Sequence, residues 1–361
     1  MSYRIEVWNK SGSCLGDIRH LAHNLKWTEQ RNAAETVSFD MDLGEYEAYL
    51  KKINMTPYDF MDSAVTDIRL VRDGVERIGA HVVKLHYTPD DPSVKVEVSC
   101  TGYLNYFKDA FVDVSQNDVD QGEILWWVID QYQKKPYGDF GIRKGDYVSR
   151  GMKRQRNQVR ARVKDFIVRM TNVIKGPDIQ FTPDKKFNTY DAMGSYRPDI
   201  RLIWPGNVSS FDFERSAASL ANHIIAIGSG NGDDAIMTTS EDADCMRAQY
   251  RREKLVTFNS VEHMDTLQQN ADGVREVAKH IYELPVLTVQ NDVLDLNVLH
   301  VGDTVYAELN GYEVFNHIRG NYRIEKLEVS VDDNDSEMPT ITFDDIDIDK
   351  IIEQQEVETG T

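Results

Sequence analysis

The sequence predicts an α+β protein in which two β-rich units flank an α/β segment. Three observations carry that prediction. Apolar residues alternate with polar ones toward both ends of the chain. In the middle they recur instead at three- and four-residue steps, the period of a helix face. Finally, "HVVKLHYTPDD" at 81–91 returns in similar form as "YRIEKLEVSVDD" at 322–333. At a constant offset of 242, Lys84-Leu85 falls on Lys326-Leu327, Val82 on Ile324 and Asp90-Asp91 on Asp332-Asp333. Short strands share an alphabet and a period of two, so chance likeness is common. Here the surrounding order matches as well: 67–71 precede Gly74 in one half, and 303–307 precede Gly311 in the other. We read an internally duplicated β unit.

The elements follow in order. "YRIEVW" alternates like a strand, as do Leu25 with Trp27 and Val37 with Phe39 and Met41. A short helix is expected at 45–53. The next stretch, through residue 100, reads as a meander with turns at Asp73-Gly74 and at Pro89–Pro92, dipeptides that favour tight reversals. Residues 1–108 form the first β unit. In the α/β segment 109–195, Ile124, Leu125, Val128, Ile129 and Tyr132 share one helical face, with Asn117 or Asp118 as the cap. A second helix is expected at 152–174, with Val159, Val163, Phe166, Ile167 and Met170 inward and Arg154, Arg156, Arg160 and Arg162 outward. Gly176-Pro177 stops it, and "DIQFTPDKKF" reads as a strand. The second β unit, 196–346, holds one helix near 263–282, with Leu267, Ala271, Val274 and Ala278 on its stripe. An acidic tail, 347–361, closes the chain.

The chain has 361 residues and a formal net charge of -19. An acidic chain repels phosphate and is a poor general binder of nucleic acid. The charge is uneven: 134–175 holds 13 Lys/Arg against three acids, so that segment is +10 and the remainder -29. The segment and its flanks therefore face different neighbours, or the segment is a solvated basic face. No apolar run is long enough to span a bilayer, and no apolar leader stands at the N-terminus. Three scattered cysteines argue against a disulfide framework and suit folding in a reducing cytoplasm.

A catalytic site finds little support. "GSGNGDD" at 228–234 has Asp233 where a dinucleotide-binding loop needs its third glycine, and no helix start follows. No metalloprotease, nucleophile-elbow or paired C-x-x-C pattern occurs. "DDNDSE" at 332–337 lacks the glycine and terminal glutamate of a calcium loop and reads as a charged hairpin turn. Trp126-Trp127 suggest a carbohydrate platform, but on a helix adjacent side chains diverge by about 100°, which places at least one in the core. We expect no enzyme activity, no cofactor and no metal.

Taken together, "LGDI" at 15–18, "LKW" at 25–27, "ETVSF" at 35–39, the 122–132 helix with "GDFGI" at 138–142, "NHIIAIGSG" at 222–230 and "VGDTV" at 301–305 before the repeated strand resemble the tail-tip (baseplate) hub proteins of long-tailed bacteriophages, in their siphophage minor-tail branch. The resemblance covers nearly the whole chain. It implies two tail-tube-like β domains, barrel or sandwich, per subunit and a homotrimer presenting six such domains in a ring. A threefold tip then mates with a sixfold tube. It further implies a virion tail-tip location after assembly in the host cytoplasm. The implied partners are the distal tail ring, tip or fibre proteins and the tape measure, with transient passage of DNA. On that reading Asp90, Asp91, Asp332, Asp333 and Asp335 are candidate channel or rim acids, and the four arginines face a partner. The alternative is a receptor- or carbohydrate-binding module at the tail tip.

Overall fold

A computed structural model describes residues 1–90, 92–147, 151–173, 175–230, 234–258, 261–290 and 293–344. The first half contains β1 (Tyr3–Trp8), β2 (Cys14–Asp17), β3 (His23–Gln30) and β4 (Thr36–Asp42). These lead to α1 (Leu43–Ile53) and α2 (Pro57–Phe60), then β5 (Asp67–Arg72), β6 (Val75–Asp90) and β7 (Ser93–Gly102). The alternation works as the period-two pattern requires: Tyr3, Ile5, Val7, Leu25, Trp27, Val37, Phe39 and Met41 are all buried. Asp73 and Gly74 both take positive φ, which makes the tight β5–β6 turn. The Asp42 carboxylate accepts from the Glu45 backbone N–H to start α1, and Asn54 ends it in the left-handed region.

The middle segment builds its own core from β8 (Phe111–Asp120), α3 (Gln121–Gln133), β9 (Arg143–Tyr147), β10 (Lys153–Arg162), α4 (Val163–Asn172), β11 (Asp178–Phe181) and β12 (Lys186–Tyr190). Asp120, not Asn117 or Asp118, caps α3 by accepting from the Gly122 N–H. The expected helix over 152–174 is corrected. Its residues 153–162 are β10, paired antiparallel with β8, and the helix begins only at Val163. Val163, Phe166, Ile167 and Met170 are buried as expected, but Val159 is 79% exposed. The reason lies in β8. "FVDVS" offers Val112 and Val114 on one side, and β10 answers with Ala161. A bulge with Arg160 in the left-handed region then absorbs the mismatch. Ile174 lies outside the described residues.

The last part contains β13 (Tyr196–Trp204), β14 (Val208–Ser216), β15 (His223–Ile227), β16 (Met237–Glu241), α5 (Ala243–Gln249), β17 (Glu253–Thr257), α6 (Met264–Ala278), β18 (Tyr282–Val289), β19 (Thr304–Leu309), β20 (Arg319–Val331) and β21 (Glu337–Phe343). It is not one continuous β unit. β16, β15 and β17 form a separate sheet covered by α6, with a core of its own around Ile224, Val256, Phe258, Leu267 and Val274. The remaining strands join the first half in one large sheet, in the order β14-β18-β21-β20-β3-β4-β7-β6-β5-β1-β2, with β19 also paired to β20 and β13 paired to β19. A single hydrophobic core runs under both halves, from Ile5 and Trp27 to Leu327 and Phe343.

Candidate assembly interface

The two halves repeat at the level of strand pairing. In the first, β5, β6 and β7 form an antiparallel meander; in the second, β19, β20 and β21 do. Lys84 pairs with Ser99 and Leu85 with Val98, while Lys326 pairs with Thr342 and Leu327 with Ile341. Both hairpins carry a bulge at the same place, between Val82 and Lys84 and between Ile324 and Lys326. A bulge bends and twists a strand locally, so its repetition fixes the same curvature twice. Outward from β7 come β4 and β3, and outward from β21 come β18 and β14. The register equates Phe39 with Leu287 and Trp27 with Phe213. The loop between β3 and β4 spans 31–35; its counterpart between β14 and β18 holds the separate sheet and α6.

The halves meet edge to edge. β3 pairs antiparallel with β20, from Lys326↔Gln30 to Val331↔Leu25, and Trp27 and Val329 are buried opposite each other. Beyond the paired stretch, the Arg31 N–H donates to the Glu325 carbonyl at 2.9 Å. Arg31 then holds three carboxylates: Glu325 at 2.7 Å, Asp178 at 3.0 Å and Asp344 at 2.8 Å. Arg323 reaches Asp178 at 2.5 Å. Burial alone would raise Asp178, but Arg31 and Arg323 hold its carboxyl below the usual range. Burial pushes Glu325 up to about 7 against the pull of Arg31. This cluster ties the first half, the middle segment and the second half at one point. A second tie is wholly buried. Arg72 on β5 donates to Glu337 on β21 at 2.6 and 3.0 Å, and the Tyr3 hydroxyl donates to the same carboxylate at 2.5 Å.

The predicted site residues fall in two places. Asp90 ends β6, and Asp332, Asp333 and Asp335 form the equivalent β20–β21 turn. These turns lie at one rim of the sheet, beside His23. His23 contacts Asp333 at 3.0 Å and lines a small cleft with Asp90, Asp40 and Asp42. Asp332 accepts from the Asn334 and Ser336 N–H groups, and Asp335 holds Arg19 at 2.7 Å. Those two therefore shape the turn, whereas Asp333 is 63% exposed. Asp91 and the acidic tail lie outside the described residues, as does part of the glycine-rich loop at 228–234. The four arginines lie on β10. Arg154 and Arg156 are half-buried, against Gln121 and Met170, while Arg160 and Arg162 are exposed.

A cleft of about 690 Å³ lies between the first half and the middle segment. Its wall is a stack in which Tyr106 lies 4.5 Å from His81 and 4.7 Å from Phe140. Lys185 pairs there with Asp67 at 2.7 Å. Trp126 and Trp127 both pack against the middle core. Among the described residues, no group of three His, Cys, Asp or Glu side chains is placed to hold a metal ion. Among them, too, no helix is long and apolar enough to cross a membrane.

The ion cluster around Arg31 was not legible in the sequence. Its five members come from distant segments, and acids are common throughout the chain.

No family model matches the sequence, and no curated protein matches it. Solved structures do. A tail protein from Neisseria meningitidis MC58 shares 10% identity, with 99% of each chain covered and a TM-score of 0.66. The 43 kDa tail protein of prophage MuSo2 from Shewanella oneidensis shares 13%, covering 96% of this chain and 99% of that one, at 0.67. Prophage tail protein gp18 from Listeria monocytogenes EGD-e shares 12%, covering 98% and 99%, at 0.57. At these identities the likeness is one of fold: over nearly its whole length the chain has the fold of these tail proteins.

Proposed function

We propose that the protein is the structural hub of a bacteriophage tail tip. Three copies form a ring with pseudo-sixfold symmetry, join the tail tube to the distal tip and enclose the DNA path. The observation that carries this reading is the repeated half: the same meander, the same bulge and the same outer strands occur twice in a chain with a tail-protein fold. Two equivalent units per subunit let a threefold object present six similar faces. The repeated halves act as tube-like domains, and the middle segment projects from the joint that Arg31 and Asp178 make. Its basic strand, with Arg160 and Arg162 exposed, faces a neighbouring tail protein such as the distal tail ring, tape measure, tip or fibre. The role is mechanical and needs no cofactor. The site of action is the virion tail tip, reached after assembly in the host cytoplasm.

The test is mass in solution followed by electron microscopy. The expected species has three times the 41.4 kDa chain mass and a central opening. A second reading, a receptor- or carbohydrate-binding module, draws on the aromatic cleft, whose mouth carries the fully exposed Tyr137. It predicts a monomer that binds glycans and loses that binding on Tyr137→Ala.

A further inference from the structure

The internal joint leaves two strand edges without their counterparts. β20 uses residues 326–331 to pair with β3. The equivalent stretch of β6, residues 84–89 at the repeat offset, pairs with β7 on one side. On its other side, where β5 has already ended at the partner of Val75–His81, no strand pairs with it among the described residues. Likewise β3 pairs with both β4 and β20, whereas its equivalent β14 pairs, among the described residues, only with β18 and ends the sheet. An unpaired edge is a template for another strand, and folded proteins usually blunt it. These two edges are complementary halves of a joint the chain has already built once.

We propose that β14 of one copy pairs antiparallel with β6 of the next, reproducing between copies the β3·β20 joint within each. This rests on the ring reading and names the surface that closes the ring. Transferring the internal register sets Lys84 opposite Ser216, Leu85 opposite Arg215, His86 opposite Glu214, Tyr87 opposite Phe213 and Thr88 opposite Asp212. Three observations agree with that register. The pair standing where Val329 and Trp27 are buried is Tyr87, 46% exposed in the single chain, with the half-buried Phe213; pairing removes both from water. On the other face the β6 edge carries Lys84, and the β14 edge carries Asp212 and Glu214, so the charges are of opposite sign. At the bulge, the Arg31–Glu325 ion pair of the internal joint is replaced by Ala217 and the 37% exposed Val83, an apolar pair. The two joints thus share a backbone pattern and differ in side chains. That difference lets β14 distinguish its own chain's β20 edge, already taken, from a neighbour's β6.

The experiment uses the full chain with Cys14 and Cys245 changed to Ser, leaving the buried Cys100. His86→Cys and Glu214→Cys are combined, and mild oxidation is followed by non-reducing gels. Directly opposed strand residues approach closely enough for a disulfide, whereas Arg215 points to the opposite face, so His86→Cys with Glu214→Cys should cross-link about tenfold faster than His86→Cys with Arg215→Cys. The expected product is a covalent ladder ending at a closed ring. Hydrogen exchange on the unmodified protein reads the same joint without substitutions: amides in 84–88 and 212–216 should slow when the ring forms. A ring by mass that neither cross-links at this pair nor protects these amides overturns this joint while leaving the ring reading standing. A protein that stays monomeric at its highest soluble concentration overturns both.

Discussion

Glu325 and Val83 occupy the same bulged position in the two halves, yet one is a half-buried carboxylate and the other an exposed valine. Only Glu325 has an arginine to meet, and Arg31 also serves Asp178 and Asp344. Breaking one member of a buried ionic group leaves its partners desolvated and unpaired. Arg31→Ala should therefore lower stability by about 3 kcal/mol, read from urea denaturation, whereas Val83→Ala should change the single chain by less than about 0.5 kcal/mol. Glu35 gives a pH dependence. Burial beneath Gly102, with the Glu29 charge adding, pushes its carboxyl from an ordinary 4.5 up to about 8. A β-carbon on Gly102 would lie 2.9 Å from the Glu35 backbone nitrogen, which cannot move aside as a side-chain end can, so the strand favours glycine there. Because the folded value is raised, the folded chain keeps a proton that the unfolded chain has lost, and unfolding releases it. The Glu35 contribution is fully present below pH 4.5 and is lost as pH rises through about 8. Thermal melts should fall across that window, and Glu35→Gln should flatten the fall. An unchanged slope in that variant would assign the titration elsewhere.

Strands with an apolar face could be read directly from the sequence, and strands without one could not. β1, β3, β4 and the two hairpins alternate because one face of each lies on the shared core. β10 lacks that signal: "KRQRNQVRAR" buries only Ala161, and its neighbours Val163 and Phe166 begin a true helix whose period runs on backward over it in the sequence. Phe166→Ala should cost about 3–5 kcal/mol, while Val159→Ala should stay within about 0.5 kcal/mol. Comparable losses at the two positions would restore the single long helix. The duplication was legible because its register is a sequence property. The joint between halves was not, because pairing β3 with β20 is a contact across nearly 300 residues with no local signature. The inserted sheet was missed for a related reason: β15 reads like any buried strand, and nothing in "HIIAI" says which sheet it joins. Its placement predicts that it is dispensable to the rest. Ser216 and Tyr282 are paired neighbours across the β14–β18 hairpin, so a short turn can replace 217–281. The shortened protein should keep its strand signal by circular dichroism and its assembly mass. Insolubility or a loss of cooperative unfolding would show that this separate core supports the large sheet.

At the scale of the whole molecule the charge is sorted: +10 lies within 134–175 and -29 in the rest. The two equivalent hairpin turns place Asp90 and Asp333 at one rim, beside Asp40 and Asp42. In a ring whose joints are all equivalent, the turns alternate around a single circle, so the acids form a collar at one end of the opening instead of covering its whole wall. Duplex DNA carries about one charge per 1.7 Å, and at physiological salt the field of such a collar reaches about 8 Å. That range keeps the duplex off the rim while leaving the axis open. A basic collar would instead gain counterion-release energy from each phosphate passing it, and would hold the DNA. The assembled wild-type ring should therefore show no retention of a short duplex at low salt in fluorescence anisotropy. Asp90→Asn with Asp333→Asn should leave the ring mass unchanged, because the buried ties that hold the halves together are made by other residues and the Asp333 contact with His23 lies at the exposed rim. The same variant should show weak, salt-sensitive binding as the residual basic strands begin to dominate. Tight binding by the unaltered ring, or no response to neutralising six acids around the collar, would mean that these carboxylates serve solubility alone and that passage of DNA is governed by other surfaces.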